Sequence, residues 1–400
     1  MEHPSRKITP MPLASLESYD ISPSRGFLCR FNAADVHLPD DFADVVDAAN
    51  SLPELLTSGR VRHFLKQLPT PDIKQFIETA DDATLRLAMV RYSFLVQSYV
   101  WGEEEAPRSL PTCLAVPIWH IAEKLGQQPL LPYSSYVLDN WGLLDPAGEI
   151  SLDNVYMIQN FLSGMDEAWF VLIHVAIEAH AGNALAEAPT LLGAVQQEDT
   201  TTAITSLAKI GKVWEGLNAI FDRMPERCDP YVYFTRVRPY IHGWKDNPAL
   251  PDGLVYEGVK TLDGKPVAYR GQTGSQSSIV PAMDALLGIT HEEDPLRKYL
   301  DELHIYRPPA HRKLIDDIRA QSTVRKFVEA GQNAEMKGAY NHIVEQIAAF
   351  RTRHLEYAAS YINKQGKTAT GNDTEVGTGG TPFMRYLKKH RDESRAQLIA

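Results

Sequence analysis

Residues 336–363 read MKGAYNHIVEQIAAFRTRHLEYAASYIN, and the fold class turns on this stretch. Ile343, Ile347, Phe350, Ala358, Tyr361 and Ile362 recur at the three- and four-residue intervals of one buried face on a long helix. His354 stands four residues after Phe350 and four before Ala358, inside that apolar stripe, with Arg351 beside it one turn earlier. An imidazole in such a stripe needs a partner, because an unsatisfied buried polar group costs about 1–3 kcal/mol. A carbonyl, a water or a metal would each serve, so His354 alone defines no site.

Helical patterns fill the rest of the second half. Ser163-Gly164-Met165-Asp166 opens a helix that puts Phe170, Ile173, His174 and Ile177 on one face. Glu178 follows His174 by one turn, which predicts that the two satisfy each other. A further amphipathic helix spans 201–224 and ends at Pro225. In YVYFTRVRPYIHGW (231–244) aromatic residues surround Arg236 and Arg238. Such an arginine either snorkels to solvent or forms a carboxylate clamp beside an aromatic pocket. Residues 242–278 form an unusually long stretch without period, and its apolar content predicts an ordered loop. Ser277 or Ser278 caps the next helix, with Asp284 in its interior as surface charge or facing a cation. Helices follow over 291–332, and 364–376 has no apolar anchor and reads as mobile. Gly377-Thr378-Gly379-Gly380-Thr381 is a hinge or an anion-binding turn ahead of a closing helix.

Before residue 150 the pattern is helical too, from Asp41 onward, after an aperiodic start that is expected to wrap the surface. Asp72 begins a helix, Pro107, Pro111 and Pro117 interrupt the pattern, and a short helix ends at Gly142. Residues 145–162 alternate and suggest a small strand pair. The expected organisation is mostly α: a small N-terminal domain over 1–150, mainly helical with minor β, and a large all-helical domain over 151–400.

The 400 residues are 44% hydrophobic and 23% charged, an ordinary globular balance. A formal net charge of −11 argues against nucleic acid. Cys29, Cys113 and Cys228 match no zinc spacing, and three thiols far apart suit a reducing compartment. The start is polar, and the longest apolar run, Trp169–Ile177, is interrupted by His174 and too short to span a bilayer. A cytoplasmic monomer with no membrane partner is the expectation. HExxH, GxSxG, Walker A and Rossmann patterns are absent. Two imidazoles across an apolar slot would suit a haem, although two histidines alone do not establish one.

NPALPDGLVYEGV (247–259), QSSIVPAMDALLGI (276–289), RPPAHR (307–312), the FRTRHLEYAASYI segment and GTGGT, in this order, resemble the indoleamine 2,3-dioxygenase family. The similarity runs from about Leu114 to Leu387. It implies a haem b enzyme that uses O₂ to cleave the indole ring of L-tryptophan, or a related indole, giving N-formylkynurenine. It also implies a cap domain over an all-helical haem domain, with 364–381 as a mobile loop. His354 then matches the single axial ligand, with Arg351 and Asp284 near a haem propionate. Arg238 matches the arginine on the substrate carboxylate. Tyr133, Val137, Phe170 and Tyr233 match the indole pocket, Gln272 and Thr273 the distal loop, and Thr378 the closing loop. One departure stands out: His174 replaces a serine of well-known members. Its implied role is a hydrogen bond to the indole N–H or to dioxygen. Tyr136 is larger than expected at the pocket wall.

Overall fold

The computed structural model describes residues 13–293, 295–368, 374–380 and 382–400. Eight helices position the site: α1 (Asp82–Trp101), α2 (Thr112–Leu125), α3 (Met165–Gln196), α4 (Thr200–Phe221), α5 (Ile279–Leu287), α6 (Pro309–Gln321), α7 (Ala334–Tyr361) and α8 (Phe383–Arg395). Side-chain caps fix several starts. Asp81, Asp199 and Asn333 accept the backbone N–H of Thr84, Thr202 and Met336, satisfying donors that a helix leaves open. Asp72 caps a shorter helix, Ile73–Thr79, as its place after Pro71 predicts.

α3 packs along α4, α4 along α7, and α8 lies on α7. α7 buries Met336, Tyr340, Ile343, Val344, Ile347, Arg351, Ala358 and Tyr361; of the face read from sequence, Ile343, Ile347, Ala358 and Tyr361 are buried, while Phe350, His354 and Ile362 are half-buried. α3 is longer than the expected apolar run and has the length and hydropathy of a membrane span. Yet 72% of its most apolar window is buried within the fold, so it is a core helix.

Strands are minor among the described residues. β1 (Ser109–Leu110) pairs in parallel with β4 (Val255–Tyr256), and β2 (Trp141–Leu143) antiparallel with β3 (Val155–Met157). Gly142 therefore ends no helix. It sits in β2 opposite Tyr156, where a Cβ would lie 2.7 Å from the tyrosine ring. Pro117 does not interrupt the chain either: it lies inside α2, where burial of Leu114, Ala115, Ile118 and Ile121 offsets the lost N–H. α4 stops at Phe221, ahead of Pro225.

The β2–β3 hairpin straddles residue 150, and one continuous core joins side chains from both sides of it. The N-terminal segment does more than wrap the surface, for Tyr19, Ile21, Phe27 and Leu28 are buried in that core. It presses on α3 at Gly182, where a Cβ would fall 2.4 Å from the Pro23 carbonyl oxygen. This backbone-to-backbone contact lies one turn beyond Glu178.

Candidate active site

α7 and α3 deliver His354 and His174 to one cavity. Phe221, at the end of α4, stands between them with its ring 6.4 Å from each imidazole. His174 Nδ1 lies 2.7 Å from the Phe170 carbonyl oxygen. A carbonyl only accepts, so Nδ1 carries the proton and Nε2 keeps its lone pair. His354 has no hydrogen-bond partner among the described residues. Burial, reinforced by the nearby His174, pushes its pKa down to about 4. It is therefore a neutral imidazole with a free lone pair at neutral pH, the form that ligates a metal.

The cavity has two chambers, of about 580 and 160 Å³, which share His174, Phe221, Leu300 and His354 among their walls. The larger falls in the ~300–1,000 Å³ range of small-molecule and cofactor sites. Tyr133, Glu178, Phe350, Arg351 and Asp284 line it. Phe170, Tyr233, Gln272, Thr273, Tyr357 and Thr378 line the smaller. Ten of the residues singled out in sequence thus face one space: His174, His354, Tyr133, Phe170, Tyr233, Gln272, Thr273, Thr378, Arg351 and Asp284.

Arg238 and Val137 line neither chamber. Arg238 is fully buried behind Tyr233, its guanidinium 5.6 Å from the Phe234 ring, and Nη2 donates to the Val376 carbonyl at 2.7 Å. It does not snorkel outward. Val137 is buried in the 134–138 turn that follows Tyr133. Tyr136, expected to crowd the pocket wall, packs instead among Phe94, Phe161 and Phe170.

Asp284 faces a cation, one of the two readings its position allowed. Its Oδ2 accepts from Arg351 Nη2 at 2.6 Å. Burial opposes the carboxylate charge, but Arg351 and His291 outweigh it and hold the pKa down to about 2. Arg351 also donates to Ser394 of α8, which ties α5, α7 and α8 together.

The expected His174–Glu178 pair does not form. His174 turns back to its own helix carbonyl, and Glu178 accepts from Tyr133 Oη at 2.8 Å and Ser277 Oγ at 2.5 Å. Ser277 is therefore occupied with Glu178 more than with capping α5. Glu178 Oε2 is buried without a hydrogen bond among the described residues. Burial raises the Glu178 pKa from 4.5 to about 7, against the lowering effect of Ser277 and Tyr133. A raised carboxyl stabilises the fold fully below its unfolded value and loses that contribution as pH climbs through the folded one. Wild-type protein is thus expected to lose stability relative to Glu178→Gln between pH 4.5 and about 7. Denaturant midpoints across that window should converge or cross with a slope of at most about 1.4 kcal/mol per pH unit. A pH-independent difference would refute the assignment.

Residues 374–380 close against the preceding loop. Thr378 Oγ1 donates to the Gln272 carbonyl at 2.6 Å, Gly243 N to the Thr378 carbonyl at 3.3 Å, and Arg270 Nη1 to the Gly379 carbonyl at 2.7 Å. The Thr378 hydroxyl is thus engaged within the protein. Of the segment expected to be mobile, 363–368 forms a 3₁₀ helix, while 369–373 and 381 lie outside the described residues.

Two residues escaped the sequence reading. Phe221 gave no signal beyond being the last apolar position of α4. Ser277 read as a helix cap, and only its distance to Glu178 reveals its role.

Fold and site together define a helical protein built around a deep apolar cavity bracketed by two imidazoles and edged by an arginine–carboxylate pair. The model of one family, indoleamine 2,3-dioxygenase, matches residues 15–397. Rat indoleamine 2,3-dioxygenase 1 is 33% identical over 398 residues, covering 96% of each chain. Human indoleamine 2,3-dioxygenase 2 is 30% identical over 98% of this chain and 97% of its own. A protein of the abalone Haliotis diversicolor, named myoglobin, is 28% identical over 95% of this chain and 97% of its own. The chain belongs to the indoleamine 2,3-dioxygenase family, and it is a dioxygenase of the oxidoreductase class.

The residues present fit haem. A neutral, unpartnered His354 faces a chamber of about 580 Å³, and Arg351, held by Asp284, stands on its wall as a counter-charge for an acidic edge.

Proposed function

We propose that the chain is a haem-dependent dioxygenase that cleaves the indole C2–C3 bond of L-tryptophan to give N-formylkynurenine. The observation that carries this reading is the lone neutral His354 facing His174 across the cavity. His354 would ligate the iron, and Arg351, held by Asp284, would pair with the acidic edge of the group. Bound there, haem supplies the O₂ chemistry of ring opening.

The chain's own residues then handle the amino acid. Phe170 and Tyr233, with ring centroids 4.7 Å apart, offer an aromatic wall for the indole. His174 presents Nε2 as an acceptor, so its natural partner is the indole N–H rather than a second acceptor. Arg238 lines neither chamber while its Nη2 is held by the Val376 carbonyl, so it would offer its guanidinium fork to the carboxylate, and so fix the orientation of the ring, once residues 374–380 shift and release that contact. Thr378 and Gln272 join the two loops that exclude water from the smaller chamber.

The test is to load the purified protein with haem, supply O₂ and L-tryptophan, and follow N-formylkynurenine by absorbance. Steady product formation is expected with the haem reduced to the ferrous form, and a much slower rate with tryptamine, which lacks the carboxylate. The abalone relative's name favours a second reading, reversible O₂ carriage without turnover. Stable O₂ uptake with no product from L-tryptophan or other indoles would establish that one instead.

The acceptor role of His174 makes its own prediction. His174→Ala should weaken L-tryptophan binding by about tenfold, the size of one hydrogen bond. Binding of 1-methyltryptophan, which lacks the N–H, should not change. Equal losses for both ligands would mean that His174 only packs against Phe170.

A further inference from the structure

Beyond the two bracketing histidines, a second cluster of metal-binding groups borders the same cavity, His291 on the wall of the larger chamber and His390 on the walls of both. His291 lies on the turn after α5, and His390 and Glu393 are one turn apart on α8. One ligand atom from each falls within 4.8 Å of the other two. His291 Nδ1 is 2.6 Å from Glu393 Oε2, and the two imidazole rings are 4.6 Å apart. The side chains of His291 and Glu393 are only 6% and 14% exposed. His291 and His390 both line the chamber, which leaves room for a solvent ligand.

We infer that His291, His390 and Glu393 form a binding site for a first-row divalent metal ion such as zinc, with ligands distinct from His354. The donor set suits it: two imidazoles and one carboxylate are the ligands of an open zinc site. His291 is also oriented from behind, since its Nε2 lies 3.3 Å from Asp284 Oδ2. Carboxylates thus face both ring nitrogens, Glu393 at 2.6 Å from Nδ1 and Asp284 at 3.3 Å from Nε2, so a metal binding at Nδ1 would displace the proton shared with Glu393 while Asp284 holds the ring from the other side. Around a four-coordinate ion with bonds of about 2.0–2.2 Å, donors sit roughly 3.5 Å apart, so side-chain rotation must draw the three inward.

The competing cations are local. Lys389 Nζ lies 3.4 Å from Glu393 Oε1 and 3.0 Å from Glu292, so it can shift wholly to Glu292. Arg351 holds the same Asp284 oxygen that His291 faces, at 2.6 Å from Oδ2. A bound ion would cross-link α8 to the turn after α5, and through Asp284 it would reach Arg351 on α7. Metal occupancy would then brace the same arginine that edges the cofactor chamber.

The test is equilibrium dialysis of the haem-loaded protein against buffered zinc(II), with zinc and iron counted by elemental analysis. One zinc per chain in addition to iron is expected. His291→Ala and the near-isosteric Glu393→Gln should each weaken zinc uptake at least tenfold, with circular dichroism confirming the fold. Asp284→Asn should weaken it about 10–100-fold. His342→Ala, a half-exposed histidine paired with Glu215 on the opposite side of α7, should leave uptake unchanged. Wild-type uptake no tighter than that of His291→Ala or Glu393→Gln would overturn the site. Because zinc and iron are counted separately, failure of the haem reading would appear in the iron alone.

Discussion

His354→Ala is expected to yield folded protein that purifies without a haem Soret band. The substitution removes the one imidazole nitrogen on α7 that faces the larger chamber with no partner of its own. Loss of groups that merely orient a metal ligand costs about 10–100-fold in affinity, so loss of the ligand itself should cost more. The fold should tolerate the change, because His354 makes no hydrogen bond among the described residues and borders a cavity. One escape route needs closing: His174 faces the same space and could take over as ligand. The double variant His354→Ala/His174→Ala blocks it. A normal Soret band and stoichiometric iron in the double variant would end the haem assignment.

The second large effect is expected at Arg238. Arg238→Ala should lower kcat/KM for L-tryptophan by about 10²–10³-fold, the penalty for breaking a buried charge pair of about 3–5 kcal/mol. Haem content should stay near that of the wild type, since Arg238 lines neither chamber. The arginine also holds Val376, so the substitution could act only by loosening the loop. The comparison with tryptamine separates the two effects. A carboxylate clamp predicts that discrimination against the amine collapses; a loop effect predicts equal losses for both. Arg238→Lys, which keeps the charge without the planar fork, should recover only a small part of the rate. Unchanged selectivity in both variants would remove Arg238 from substrate recognition.

The long helices were legible because their apolar periodicity is strong and their caps are local. Asp72 needed only its neighbours to be read as a start, and the buried face of α7 could be counted off from Ile343 to Tyr361. The polar pairings were not legible. Spacing on α3 put Glu178 beside His174, but Tyr133 and Ser277, distant in sequence, compete for that carboxylate and win. Asp284 reads as an unremarkable interior acid until Arg351 arrives from α7. Gly142 and Pro117 misled for the same reason. Each is a breaker by local rule, and each is retained because tertiary packing decides: Tyr156 leaves no room for a side chain at the first, and burial along α2 stabilises the second. Most of the residues to which the family resemblance gave roles line one cavity, but the resemblance could not show that Arg238 and Val137 line neither chamber.

The strap at 374–380 also bears on how a product would get out. Val376, Thr378 and Gly379 are each fastened to a different anchor: Arg238, Gln272 with Gly243, and Arg270. Those anchors all fall between residues 238 and 272, so the strap is tied to that one stretch of chain by several separate hydrogen bonds. Departure on that side is expected to require several of these hydrogen bonds to break, each adding about 0.5–1.5 kcal/mol, so its pace should depend on the strap's fastenings as well as on the chemistry.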